Sequence, residues 1–333
     1  IMTAKAHITP LLAVENLRTL IPTRGGRVHA VDGVSFALEP GKTLGVVGES
    51  GCGKTMMARS IMGILPRNAI MPPETRIEFL GKDLVGLPGP QMRLLLGKDI
   101  AMIFQDPMLS LNPVIKVGRQ ITEVLYHHLK MDKPAARNRG IKLLRQVGIP
   151  MAERRFNHYP HQLSGGMRQR VAIAIALACK PKLLIADEPT TALDVTVQTD
   201  ILDLLAKFQA EKRMAMILVS HDLGVVAGRT HETAVMYAGK IVEQAATAEL
   251  FKHTAMPYTR ALVDAIPRLT DPPHTRLQAI GGNPPDLIDP PPGCRFAPRC
   301  SRAKDRCRQK EPELKHIEGQ NHRFACWYPL ETK

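Results

Sequence analysis

Short apolar runs separated by turn-forming residues mark the first fifty positions. Residues 12–14 and 34–36 are apolar enough for strands, and segments containing glycine or proline interrupt them. This pattern predicts an antiparallel sheet over residues 11–47. Residues 44–47 then form an apolar strand, followed by a glycine-rich loop and by a helix-compatible stretch at 55–65. The local order is therefore strand, loop, helix.

The pattern changes twice further along the chain. From about residue 114 to 156, helix formers mixed with Lys and Arg predict an inserted helical subdomain. Helices then alternate with apolar strands, which predicts a mostly parallel sheet. The predicted elements of this block are a helix at 167–179, a strand at 183–186, a helix at 196–211 and a strand at 216–220. From residue 267, repeated prolines indicate an irregular, stiffened tail.

Composition narrows the class of protein. The chain has 333 residues, a formal net charge of +14 and only 4% aromatic residues. A chain of this length buries a large core without disulfides, and few aromatic side chains argue against a base-stacking surface for nucleic acid. The longest wholly apolar run, residues 171–179, is nine residues long, whereas a membrane-spanning helix needs about 20. We therefore expect a folded cytosolic protein that favours an anionic partner.

Residues 48–55, Gly-Glu-Ser-Gly-Cys-Gly-Lys-Thr, fit the phosphate-binding pattern G-x-x-x-x-G-K-[ST]. The motif lies between a predicted strand and a predicted helix, which is the context that it requires. Glycines let backbone amides turn toward phosphate oxygens, and the helix N-terminus adds positive potential. We expect Lys54 to contact the β and γ phosphates and Thr55 to ligate magnesium. The predicted ATP-binding residues are Gly48, Ser50, Gly51, Cys52, Gly53, Lys54 and Thr55.

Two carboxylates, Asp187 and Glu188, directly follow the apolar strand at 183–186. If this strand is a neighbour of the strand at 44–47, both carboxylates lie at the carboxyl edge of the sheet beside the phosphate-binding loop. One carboxylate can then hold magnesium while the other activates water. We predict Asp187 as the magnesium ligand and Glu188 as the general base.

Residues 163–169, Leu-Ser-Gly-Gly-Met-Arg-Gln, begin the helix that follows the predicted helical insert. Ser164 can cap this helix, and two glycines permit close backbone approach to an anion. With the phosphate-binding loop and the two carboxylates, this segment resembles the signature of ABC transporter ATP-binding subunits. Three other motifs of that family are present: Gln105 in Phe-Gln-Asp-Pro, Asp194 in Ala-Leu-Asp and His221 in Ser-His-Asp. All six motifs occur along the chain in the order that the family has.

The resemblance implies a fold. It is an α/β fold, a P-loop NTPase ABC cassette with an N-terminal antiparallel β subdomain, an inserted helical subdomain and a Cys-rich metal-binding C-terminal tail. The implied domains are an ABC ATP-binding domain at 11–266, with its helical subdomain at about 114–156, and a Pro-rich linker with a four-cysteine regulatory or structural tail at 267–333.

The resemblance also implies roles for individual residues. Two cassettes of this family pair head to tail, so the signature of one chain contacts the γ phosphate bound by the other, and Asp194 lies at the dimer contact. Gln105 would sense the metal and the attacking water, and His221 would orient the γ phosphate. The implied catalytic residues are Glu188, His221 and Gln105, the implied magnesium ligands are Thr55, Gln105 and Asp187, and the implied signature contacts are Ser164, Gly165, Gly166 and Gln169.

Residues 104–113 and 159–164, together with the cysteine-containing tail, resemble one branch of ABC importers. That branch serves dipeptides, oligopeptides and, in some systems, nickel or glutathione. The resemblance implies ATP hydrolysis at the cytoplasmic face of the cell membrane by a peripheral subunit. Its implied partners are two transmembrane permease subunits, a second and different ABC ATPase chain, and an extracytoplasmic substrate-binding protein. A soluble ABC ATPase acting on nucleic acid is the competing class, which the single phosphate-binding loop and short insert disfavour.

Four cysteines are concentrated in the tail. Cys294, Cys300, Cys307 and Cys326 are separated by five, six and eighteen residues. In a reducing compartment this pattern suggests metal binding more than disulfides. The spacing lacks the C-x2-C pairs common in zinc sites. The resemblance to the importer tail favours a 4Fe-4S cluster over structural Zn2+, with the role of folding the tail.

Overall fold

The structure is a computed structural model that describes residues 9–106, 110–191, 193–266, 280–316 and 321–330. The chain forms two compact units. The first comprises residues 1–39, 43–85 and 218–333, and the second comprises residues 40–42 and 86–217. Within the described ranges, no helix combines the length and the apolar character needed to cross a membrane. The domain limits predicted from the sequence stay a prediction.

An antiparallel sheet forms the N-terminal part of the first unit. Its strands, in spatial order, are β2 (Gly26–Leu38), β1 (Leu12–Thr23), β4 (Arg76–Phe79) and β5 (Lys82–Asp83). Thr23 pairs with Gly26, so a two-residue turn joins the two long strands. Both strands extend well beyond the apolar runs that predict them, because less buried polar residues lie between their buried positions.

The second sheet of the first unit begins with β3 (Thr43–Val47), whose residues are all buried. This strand pairs in parallel with β9 (Glu232–Tyr237), which pairs antiparallel with β10 (Lys240–Ala246). β10 continues antiparallel to β12 (His322–Phe324), and β12 to β11 (Lys315–His316). The last two strands belong to the predicted tail, so the tail extends this sheet.

Helices flank these strands in both units. In chain order they are α1 (Lys54–Ile61), α2 (Gly89–Leu95), α3 (Val117–Leu129), α4 (Lys133–Gln146), α5 (Ala152–Arg155), α6 (Gly165–Ala176), α7 (Val195–Lys212), α8 (Leu223–Val226), α9 (Thr247–Lys252), α10 (Pro257–Asp264) and α11 (Asp305–Gln309). Helix α1 is shorter than predicted because Gly63 adopts a φ of +64°, which ends the helical conformation.

The second unit contains the parallel pair β6 (Ile100–Ile103) and β7 (Leu183–Asp187). β8 (Ala215–Ser220) follows α7, and within this strand the chain returns to the first unit. All residues of these three strands are buried, as expected for strands covered on both faces.

Helices α3, α4 and α5 occupy the stretch that the sequence predicts to be helical. A Cβ atom built on Gly118 would lie 2.2 Å from the Phe156 ring, and one on Gly140 would lie 2.8 Å from it. Both glycines therefore leave the space that this ring fills, which packs α3 and α4 around one aromatic side chain.

Candidate functional site

The phosphate-binding motif lies between β3 and α1, in the local order that the sequence predicts. Gly48 and Gly53 adopt φ values of +154° and +103°. A Cβ atom would come within 2.1 Å of the Met236 carbonyl oxygen at the first position, and within 2.2 Å of the Ala30 carbonyl oxygen at the second. Only glycine fits at either position, so packing keeps the loop folded against neighbouring backbone.

Lys54, the first residue of α1, places its ammonium inside this loop. The Nζ atom donates to the carbonyl oxygens of Gly48, at 2.7 Å, and Glu49, at 3.0 Å, and the residue is 4% exposed. Ser50 and Gly51 are exposed, and Thr55 is half-buried. The loop thus presents an exposed rim around an enclosed positive charge.

Cys52 lies on the inner side of the same loop and is buried. Burial raises the pKa of its thiol, although the neighbouring Lys54 ammonium acts in the opposite direction. This side chain therefore packs as a neutral thiol.

In the second unit, the two predicted carboxylates end β7. Asp187 is its last residue and is 1% exposed, and Glu188 follows with a φ of +46°, in the left-handed region. The Glu188 Oε2 atom accepts hydrogen bonds from Gln105 Nε2, at 3.0 Å, and from Thr191 Oγ1, at 2.9 Å. The structure therefore brings together Gln105 and Glu188, which are 83 residues apart in sequence.

The signature segment starts α6 as predicted. Ser164 caps the helix, and its side chain accepts a hydrogen bond from the Met167 amide at 3.3 Å. Gly166 lies close to α7, because a Cβ atom there would be 2.9 Å from a Val197 methyl group. Gly165 is half-buried. These residues are positioned by the helix start and by its packing against α7.

Gln169 is a buried residue of α6. It is 1% exposed, and its Nε2 atom donates to the Pro189 carbonyl oxygen at 2.5 Å. The side chain therefore supports the backbone directly after Glu188 within its own chain. The signature contact with a second chain that the resemblance implies for Gln169 stays a prediction.

Two further predicted residues lie at helix or strand ends. Asp194 caps α7, accepting a hydrogen bond from the Val197 amide at 2.9 Å. His221 directly follows β8 in the first unit and is exposed. Ala192, which precedes Asp194 in its motif, and Pro107, which follows Gln105 in its motif, lie outside the described residues.

Sequence reasoning missed an ion pair that joins the tail to the phosphate-binding loop. Arg299 donates to both carboxylate oxygens of Glu49, at 2.6 Å and 2.9 Å, and its side chain is 3% exposed. These hydrogen bonds raise the pKa of Arg299 above its ordinary value. The only available signal was an acidic residue inside a motif that binds anions.

The tail cysteines lie near one another as free thiols. Cys326 interacts electrostatically with the other three, and Cys294 with two of them. Burial, followed by neighbouring thiols, raises the pKa of Cys326 to about 11, although the Tyr328 amide donates a hydrogen bond to it. Among the described residues, however, no group of three or more His, Cys, Asp or Glu side chains could hold a metal ion. The predicted metal-binding character of the tail is therefore not supported by this arrangement.

The β-sheet, the phosphate-binding loop and the signature helix define an ABC-type ATPase. Residues 31–191 match the family described as ABC transporter, and residues 242–307 match the oligopeptide/dipeptide transporter, C-terminal region. The dipeptide transport ATP-binding protein DppD of Bacillus subtilis is 49% identical, over 95% of this chain and 94% of its own length. The oligopeptide transport ATP-binding protein OppD of Haemophilus influenzae is 48% identical, over 97% and 99%. The chain belongs to the ABC transporter family, in the group of peptide-transport ATP-binding proteins.

Solved structures are similar in fold. The ATP-binding cassette MJ0796, a dimer in a post-hydrolysis state bound to ADP and Pi, superposes with a TM-score of 0.64. It is 26% identical, and the alignment covers 71% of this chain and 98% of the cassette. CbiO1 of Clostridium perfringens, part of the transporter complex cbiONQ, has a TM-score of 0.60 and 28% identity, over 73% and 90%.

Proposed function

We propose that this ATPase energises the import of dipeptides or oligopeptides through separate membrane permease subunits. The names of the similar DppD and OppD proteins, and the match of residues 242–307 to the peptide-transporter C-terminal region, support the substrate class. The observation that carries the chemistry is the Glu188 carboxylate, which Gln105 and Thr191 hold in one orientation.

Glu188 is proposed as the general base. A carboxylate accepts a proton from an attacking water only if it is oriented, and two side-chain donors fix one oxygen of this group. Gln105, as the donor to this base, would report its position, and Asp187 is proposed as a magnesium ligand. Thr55, in the first unit, is also proposed as a magnesium ligand.

Lys54 is proposed to bind the β and γ phosphates. Its ammonium lies inside a loop in which a Cβ atom on Gly48 or Gly53 would clash with backbone, and carbonyl oxygens hold it in place. Other amide donors of the loop and the start of α1 would complete the phosphate contacts. Magnesium ATP supplies the γ phosphoryl group, with charge neutralised by the metal, and exposed His221 is proposed to orient that group.

Two chains are proposed to act together. Ser164, Gly165 and Gly166 start α6, and Asp194 starts α7, so polar groups at two helix N-termini are available to a second cassette. The dimer of MJ0796 with ADP and Pi supports this arrangement. We propose a different ABC ATPase chain as the partner here.

The helical stretch at 114–156 is proposed to receive the cytoplasmic loops of the permease. Val114 at its start is 77% exposed and Met151 is 57% exposed, so large apolar side chains are available for contact there. Cysteines placed at these two positions should cross-link to a permease in native membranes. Cross-linking only from the tail would count against the assignment.

Isolation of the protein from native membranes in mild detergent tests the transport assignment. Two permease subunits and a second ATPase should accompany it, and ribosomes or DNA-repair proteins in their place would overturn it. Reconstitution of the isolated complex with its extracytoplasmic binding protein then decides the substrate. Labelled dipeptide should be taken up in an ATP-dependent manner, whereas uptake of nickel or glutathione alone would replace the peptide assignment.

The tail thiols carry a narrower proposal, one 4Fe-4S cluster, with Zn2+ as the alternative. Cys294, Cys300, Cys307 and Cys326 are soft ligands that lie near one another, and backbone amides donate to three of them. Binding would have to draw the thiols closer than they lie here. Purification without oxygen should yield four irons and acid-labile sulfide per chain, and stoichiometric zinc or neither metal would exclude the cluster.

A further inference from the structure

The C-terminal tail is built onto the loop that carries Lys54. Arg299 reaches Glu49, the second residue of the phosphate-binding motif, although 250 residues separate them in sequence. Its guanidinium makes a two-point contact with the carboxylate, donates to the Tyr237 hydroxyl at 3.2 Å, and also donates to the backbone carbonyl oxygens of Gly281 and Ile280. All three nitrogens of the guanidinium thus donate hydrogen bonds, which fixes the cation against the loop.

A second tail arginine holds a turn that contacts the same loop. Arg295 donates to the Asp32 carboxylate and to the Ala238 carbonyl oxygen, and its side chain is 7% exposed. The adjacent Gly239 amide donates to the Cys52 carbonyl oxygen at 2.9 Å. The turn held by Arg295 therefore holds a peptide group of the phosphate-binding loop.

Aromatic packing joins these two contacts. The Phe296 ring lies 5.3 Å from the rings of both Tyr237 and Tyr258, and these two lie 4.5 Å from each other. The Tyr258 hydroxyl accepts a hydrogen bond from the Glu49 amide at 3.0 Å. The tail residue Arg299 therefore holds the side chain of Glu49, and Tyr258, which packs on the tail, holds its backbone.

The charge of Glu49 gives this contact a consequence for nucleotide binding. The backbone carbonyl oxygen of Glu49 lies 3.0 Å from the Lys54 ammonium, so the residue that bears this carboxylate contacts the proposed phosphate-binding cation. A negative charge on this residue repels a polyphosphate and competes with it for the Lys54 ammonium. The guanidinium of Arg299 compensates that charge and draws the carboxylate toward the tail.

We propose that Arg299 is a positioning residue for ATP binding: it neutralises Glu49 and holds it toward the tail, so that Lys54 and the loop amides serve the phosphates. The tail is then a working part of the nucleotide site. This inference rests on the phosphate-binding role proposed for the loop.

The test measures the equilibrium affinity of the full-length chain for magnesium ATP, and KM and kcat in the isolated complex. Arg299→Ala should weaken ATP affinity and raise KM about tenfold, with a smaller change in kcat. Adding Glu49→Gln to Arg299→Ala should restore ATP affinity to within about twofold of the parent value, because the uncompensated charge is gone. The ATP affinity of Arg299→Lys should lie between those of the parent and of Arg299→Ala, because lysine keeps the charge and loses the two-point geometry.

Matched controls separate this role from tail folding and from the loop assignment. Arg308→Ala removes an exposed tail arginine that pairs with Asp305, and should leave ATP affinity unchanged. Lys54→Ala tests the loop itself: unchanged affinity in that variant would refute the proposed phosphate site, whatever Arg299 does.

The inference is overturned if Arg299→Ala binds ATP like the parent, or if its defect persists when Glu49→Gln is added to a folded chain. Folding is checked by thermal unfolding of each variant. Should Arg299→Ala not fold, the same comparison of Arg299→Lys with and without Glu49→Gln decides. A defect in Arg299→Lys that Glu49→Gln does not relieve then contradicts the proposal.

Discussion

The amide of Gln105 donates a 3.0 Å hydrogen bond to the carboxylate of Glu188, across 83 residues of chain. Gln105 follows β6 and Glu188 follows β7, and these two strands pair in parallel. Parallel pairing brings the carboxyl ends of the strands to the same edge, which places the two side chains together. The proposed base is therefore oriented by the strand that neighbours its own.

Replacing Glu188 with Gln should strongly reduce turnover and preserve ATP binding. The amide keeps the size of the side chain but accepts a proton far more weakly, so kcat should fall about 100-fold or more. ATP turnover of the isolated complex and ATP affinity of the chain are the measurements. Glu211→Gln, an exposed change at the end of α7, should leave both values unaltered. Retained turnover in Glu188→Gln would remove Glu188 from the mechanism.

Replacing Lys54 with Ala should weaken ATP binding itself. The lost charge-assisted hydrogen bonds amount to about 1.5–3 kcal/mol, or about a 10- to 160-fold decrease in affinity. Equilibrium binding of magnesium ATP to the full-length chain measures it. Lys207→Ala changes an exposed lysine of α7 and provides the matched control. Equal affinity in both variants would contradict the phosphate-binding role.

Asp194→Ala should destabilise the second unit. The Asp194 side chain accepts from the Val197 amide and satisfies a donor at the start of α7. Loss of such a cap costs about 1 kcal/mol. Urea unfolding should show a lower midpoint for Asp194→Ala, whereas Asp194→Ser, which retains a capping oxygen, should unfold near the parent midpoint. Equal destabilisation by Ser and Ala would show that the cap is not the cause.

Asp32 should make stability depend on pH in the acid range. Burial opposes its ionisation, but Lys240 and Arg295 outweigh that effect and lower its pKa below 3.8. A carboxyl whose pKa is lower in the folded state than in the unfolded state stabilises the fold at pH values above the unfolded-state pKa. This stabilisation is lost as the pH falls below 3.8 toward the folded-state pKa.

Asp32→Asn should therefore destabilise the chain at pH 7 and flatten the decline in stability on acidification. Urea unfolding at several pH values between about 6 and 3 measures both effects. Asp264→Asn replaces a carboxylate that is 41% exposed in its side chain, and it should leave the pH profile parallel to the parent. A parent-like profile in Asp32→Asn would contradict the assignment.

The sequence by itself determined the parts that depend on neighbouring residues. The phosphate-binding loop, the cap at Ser164 and the buried strand before Asp187 all occur where local patterns predict them. Glycines, capping oxygens and apolar alternation act within a few residues, so a sequence shows them directly. Element lengths were less accurate, as α1 shows, because Gly63 ends the helix before its apolar pattern does.

Only the tertiary structure decided which distant groups meet. It turned Gln169 inward onto Pro189, paired β12 with β10, and set Arg299 against Glu49. Each contact depends on how segments that are distant in sequence pack together. A chain contains many residues that could pair with a given charge or strand edge. Burial selects among them, because a buried polar group requires a partner and only the folded chain specifies which one is within reach.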